Sequence, residues 1–200
     1  MGLDHLGAVV DAMVRDRPTR LKAHFTVLRT GLECGTRVCW LLQPESSAER
    51  RLRAIQYRFE NLEERRKALT DLSGTLLAGE NDEATRKMLT WVDEERAELT
   101  RVAMELGATK LTKPPDTLSM LKKMVDLDTT EGASYIQLWR TGSASVHGHH
   151  WADDMRENPA QFDHVWFQPA LQGTFLVINN AMNLYHKRST AGPGNEATSD

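Results

Sequence analysis

Apolar residues recur every three or four positions along most of the chain, the spacing that lines up one face of an α-helix. Leu3, Leu6, Val10 and Met13 keep this period up to Arg17, and Pro18, which has no amide hydrogen, stops or restarts the helix. From Arg20 to Gln43 the set Leu21, Phe25, Leu28, Leu32, Cys39 and Leu42 predicts a second helix, ended by Pro44. Ser46 and Glu49 form a capping box for a third, in which Leu52, Ile55, Phe59, Leu62, Leu69, Leu72 and Leu76 continue to Gly79. Asn81 or Asp82 caps a fourth through Met88, Val92, Leu99, Val102 and Leu106, with Gly107 as its stop. The GENDE turn at 79–83 makes the two long helices an antiparallel pair.

The stretch ATKLTKPPD interrupts the pattern, and an acidic cap at Asp116 opens a short connector helix to about Val125. Thr129 or Thr130 caps a helix that begins at Glu131 and runs through Tyr135, Leu138 and Trp139 to His147. HHWADDMRENPAQFDH reads as an irregular loop. Pro169 fits the first turn of a last helix carrying Leu171, Phe175, Ile178, Met182 and Tyr185, and STAGPGNEATSD lacks the apolar residues needed for order. No segment alternates like a strand and no long repeat is present. The expected fold is therefore all-α: a bundle of about five main helices with a short connector helix, one domain over 1–188 and a disordered tail over 189–200.

Composition narrows the class of function. A chain of 200 residues, 40% of them hydrophobic, buries one sizeable core. The formal charge of −3 gives no global attraction to nucleic acid or anionic lipid, so any such contact needs a local patch. Cys34 and Cys39, five apart on a buried helix, exclude a disulfide framework and favour a reduced setting. No run approaches the ~18 apolar residues of a membrane span, and the N-terminus lacks a basic region leading into an apolar one. The expected location is the cytoplasm, away from membranes.

Candidate chemistry concentrates in YIQLWRTGSASVHGHHWAD, where Arg140, Ser143, Ser145, His147 and His149 fall within ten residues. Arg140 and His147 are seven apart, close to two helical turns, which puts them on nearly the same face about 10 Å apart. Arg29, Glu33 and Arg37, spaced by four, form one ridge on the second helix: an ion-pair ladder that fixes helix register, or a polar network supporting the Arg140–His147 site. Arg51, Arg58 and Arg65 share a face of the third helix at heptad spacing and suit phosphate tracking. Interleaved Glu49, Glu60, Glu63 and Glu64 equally suit a solvated, ion-paired face.

Other chemistry is less well specified. His147, His149, His150, Asp153, Asp154 and His164 are of metal-ligating type, but without a metal-binding spacing no metal or other cofactor is expected. Ser143 and Ser145 lack the nucleophile elbow of a hydrolase, and the small residues 142–145 suit close helix packing. Trp139, Trp151 and Trp166 flank the segment as core anchors or as walls of a small-ligand pocket.

The run R-T-G-S-A-S-V-H-G from Arg140 to Gly148 resembles the R-x4–6-H signature of HEPN-type helical proteins. The helix LRTGLECGTRVCWLL is similar to the R-x3-E helix of uncharacterised bacterial bundles with a late S-x-x-x-H-G-type motif. The resemblance covers those two helices and the general helix order. Thr141 stands where the HEPN pattern favours Asn, Asp or His, and the spacing of six is the long limit of its range.

The resemblance implies a homodimeric, metal-independent endoribonuclease or RNA-binding protein of a toxin–antitoxin or phage-defence type, with RNA and a protein antitoxin or regulator as partners. His147 would be general acid or base, Arg140 would stabilise charge on the phosphorane, and Thr141 or Ser143 would position the phosphate. The rival expectation is a non-catalytic scaffold or regulator in which Arg29, Glu33, Arg140 and His147 form a buried network.

Overall fold

The computed structural model describes residues 1–12, 14, 23–73, 75, 82–158 and 161–190. The expectations for Met13, Pro18, the Arg20–Leu21 helix start, Leu76, Gly79, Asn81, Pro159 and the tail from 191 onward lie outside the described residues. Within them the protein is all-α, with eight helices and no strand. They are α1 (Gly2–Asp11), α2 (Ala23–Leu42), α3 (Ser47–Leu72), α4 (Asp82–Glu105), α5 (Thr117–Met124), α6 (Thr130–His147), α7 (Trp151–Asp154) and α8 (His164–Thr190). No described helix is long and apolar enough to cross a membrane.

Local chemistry places most of these ends. Ser46 Oγ accepts the amide of Glu49 at 3.3 Å and starts α3, and Asp116 accepts the amide of Ser119 at 2.9 Å and starts α5. The third helix stops at Leu72, a turn or two before the expected Gly79, because Ser73 takes extended backbone while its amide still bonds Leu69 O. The last helix starts at His164 rather than at Pro169. Asp163 Oδ1 accepts the amide of Trp166 at 3.1 Å, so capping rather than the proline sets the start, and Pro169 sits inside the helix. The expected loop at 149–164 also contains the short α7.

The chain forms two compact units, Met1–Gln43 with Asp116–Asp200, and Pro44–Pro115. In the first, α2 is the central element and packs against α1, α5, α6 and α8. Leu28 and Leu32 are fully buried there, in a core with Val9, Leu121, Tyr135, Leu138, Phe167 and Val177. Helices α2 and α8 approach closely at Gly31 and Gly35: a Cβ at Gly35 would lie 2.9 Å from Val177 Cγ1 and 3.3 Å from Ile178 N.

The second unit is the antiparallel pair α3–α4. Arg58 reaches Glu95 at 2.5 Å and Arg66 reaches Asp93 at 3.0 Å, while Arg96 pairs with Glu63. Its apolar seam is thin, with Leu62 the one buried residue of α3 and Val92 and Ala103 those of α4.

Candidate functional site

Helix α6 is held at both ends by its own sequence. Thr129 Oγ1 accepts the amide of Gly132 at 3.0 Å, and Gly148 leaves the helix in left-handed backbone at φ +69°. The amide of His149 returns to Ala144 O at 2.9 Å, so the His-Gly pair of the motif marks a glycine-terminated helix end with His147 as its last residue. The middle of α6 lies tight on α2: a Cβ at Gly142 would meet Arg29 Cβ at 2.6 Å and Phe25 O at 3.1 Å. Thr26 Oγ1 donates to Ser145 Oγ at 3.2 Å across the same seam.

Arg140 and His147 are both exposed. The Arg140 guanidinium lies 5.7 Å from the centre of the Trp139 ring, and that of Arg29, from α2, lies 5.2 Å from it. One indole thus gathers two cations from different helices, far apart in sequence. The His147 ring sits 6.1 Å from that of His149. Ser143 is half-buried, and Thr141 Oγ1 donates back into its own helix, to Gln137 O at 2.9 Å.

Glu33 joins this cluster through Arg29 and extends it along α2. It pairs with Arg29 at 3.4 Å and Arg37 at 3.3 Å and accepts from Thr117 Oγ1 at 3.0 Å, while Arg37 Nε donates to the same hydroxyl at 3.3 Å. The ridge therefore ties α2 to the first turn of α5. Arg51, Arg58 and Arg65 belong to the other unit, where Arg58 is held by Glu95 and Arg65 covers the Trp91 ring at 5.2 Å. Arg51 is exposed.

A neighbouring face of α6 lines a cavity of about 130 Å³. Gln137, Thr141 and Ser145, spaced by four, form one wall, roughly 100° around the helix from Arg140 and His147. His149, Phe25 and Trp166 are also in its lining. Arg156 also lines it, with Nη1 3.6 Å from Asp153, Nε 3.5 Å from Asp163, and a hydrogen bond from Nη2 to Gln161 O. Of the three flanking tryptophans, only Trp166 lines the cavity.

The sequence marks Asp153 as a metal-ligating type and singles out none of Gln137, Arg156 and Asp163. The i, i+4 relation of Gln137 to Thr141 is available there, but nothing local announces that the loop brings Arg156 to the same cavity. Among the described residues, no group of three His, Cys, Asp or Glu side chains is placed to hold a metal ion. No protein-family model, curated protein or solved structure matches the chain.

Proposed function

We propose that this protein binds and cleaves RNA at the Arg140–His147 face of α6, without a metal. The observation that carries the reading is that both side chains are exposed on one helical face, with a second guanidinium, Arg29, gathered beside Arg140 on Trp139. The exposed Arg140 guanidinium suits the oxygens of a phosphodiester, its planar fork stays charged at any working pH, and Arg29, held by Glu33 at 3.4 Å, backs the same indole. An imidazole at a helix end, free to meet solvent, suits proton transfer to or from the ribose 2′-hydroxyl. Attack of that hydroxyl on phosphorus would expel the 5′-oxygen and leave a 2′,3′-cyclic phosphate, with Arg140 stabilising the charge that builds on the phosphorane. A homodimer would supply a second His147 for the complementary proton transfer.

The Glu33 ridge favours a second reading, a non-catalytic scaffold whose polar residues specify packing. Against it, Arg29 Nε and Trp139 Nε1 are buried without an acceptor among the described residues, whereas a network selected only for packing is expected to be closed.

One assay separates the two: cleavage of RNA in EDTA by wild type, Arg140→Ala and His147→Ala, with melting curves for each. Because both residues are exposed, the variants are expected to stay within about 0.5 kcal/mol of wild-type stability while cleavage is lost. An inactive wild type, with both variants markedly destabilised, would transfer the assignment to the scaffold.

A further inference from the structure

We infer that the cavity beside α6 is a site for a single neutral heteroaromatic base with adjacent hydrogen-bond donor and acceptor, of which adenine is the simplest representative. Its volume of about 130 Å³ is below the ~300 Å³ at which drug-sized sites begin, so it holds one small ring system and leaves any sugar and phosphate outside. Phe25 and Trp166 supply aromatic surface, which favours a flat π-system over an aliphatic chain of equal size.

Charge excludes the most obvious alternative. Asp153 and Asp163 outnumber Arg156 by one, and the guanidinium is already engaged by both carboxylates and by Gln161 O. A phosphate or carboxylate group entering the cavity would therefore meet two carboxylates and a guanidinium that they already hold.

The one primary amide in the lining, among the described residues, is Gln137. Its side-chain amide makes no hydrogen bond within the described residues, yet it lines the cavity from a helix wall one turn from Thr141. A primary amide offers a donor and an acceptor side by side, the complement of the amino and ring-nitrogen edge of adenine. The cavity adjoins the proposed cleavage face through His149, a lining residue whose ring lies 6.1 Å from that of His147. The base could arrive as a free nucleoside or within an RNA strand, and only the second source rests on the ribonuclease reading.

The test titrates full-length protein with adenosine and, separately, with uridine, by calorimetry and ligand-observed NMR. Saturable adenosine binding, weakened about tenfold in Gln137→Leu and abolished in the cavity-filling variant Ala152→Phe, at a small residue of the lining, is the expected result, with melting temperatures showing both variants folded. Absence of adenosine binding, equal affinity for the two nucleosides, or wild-type affinity in folded Gln137→Leu would overturn the assignment. A parallel arm offers oligo(A) and oligo(U) in EDTA. Adenosine binding without cleavage of either strand keeps the pocket and removes the ribonuclease, whereas cleavage of both strands at equal rates without adenosine binding keeps the ribonuclease and removes the pocket.

Discussion

Gly142 shows how one missing side chain sets the candidate site. The Cβ it lacks would fall on Arg29 Cβ at 2.6 Å and on a backbone oxygen of α2 at 3.1 Å, neither of which yields by a rotamer change. Gly142→Ala is expected to push α6 off α2 and cost about 1–3 kcal/mol in denaturant unfolding. It should also disturb the stacking of Arg29 on Trp139, so an alanine variant as stable as wild type would show that the seam is looser than drawn. Cys39 reports on the same core from the other side. Burial pushes its thiol up to about 11, so the folded protein holds this proton after an unfolded chain would have lost it. The unfolded state then binds fewer protons, and stability falls as pH rises from the ordinary thiol value of 9.0 toward 11. Iodoacetamide at pH 8 should leave Cys39 unmodified until denaturant is added; rapid native labelling at Cys39 itself, resolved from the half-buried Cys34 by peptide mass spectrometry, would contradict its burial.

At the scale of elements, what could be read from the sequence was what repeats locally. Asp116, Ser46 and Thr129 are short polar residues just before apolar periodic runs, and each accepts an amide hydrogen bond at the helix start that its position predicts. The start of α8 was misplaced because two signals compete there: Pro169 is a strong marker of a first turn, yet Asp163 caps a helix that begins at His164 and runs through the proline. The same carboxylate holds Arg156 at the cavity, a pairing across a loop that no periodicity encodes. Asp163→Ala removes both roles and is expected to cost about 2 kcal/mol in thermal unfolding, from the lost cap and a less compensated guanidinium. Asp163→Asn keeps an acceptor for the Trp166 amide and should cost clearly less. Equal losses in the two variants would mean that the ion pair, not the cap, fixes this helix start.

At the scale of the molecule, the two compact units differ in how much they bury. Helix α2 sends Leu28, Leu32, Gly35, Thr36 and Cys39 into a core shared with four other helices, whereas α3 buries Leu62 alone. Hydrophobic periodicity does not reveal the difference, because Leu72 and Met88 keep helical spacing in the sequence and yet are exposed. Nor does a local pattern tell that residues 1–43 share a compact unit with residues beyond 115. What α3 and α4 have instead is charge: Glu49–Arg53, Asp82–Arg86 and Glu83–Lys87 at i, i+4, and Arg58–Glu95 and Arg66–Asp93 across the pair. Exposed pairs of this kind contribute a few tenths of a kcal/mol each and are screened by salt, so they support helices without making their opening costly. Amide hydrogen exchange should therefore be slowest in α2, near the global unfolding limit, and faster by orders of magnitude in α3 and α4, with the gap widening as salt is raised. Uniform protection across α2, α3 and α4, unchanged by salt, would mean that the charged helix pair opens only when the whole chain unfolds, and that its stability resides in something other than its own thin seam.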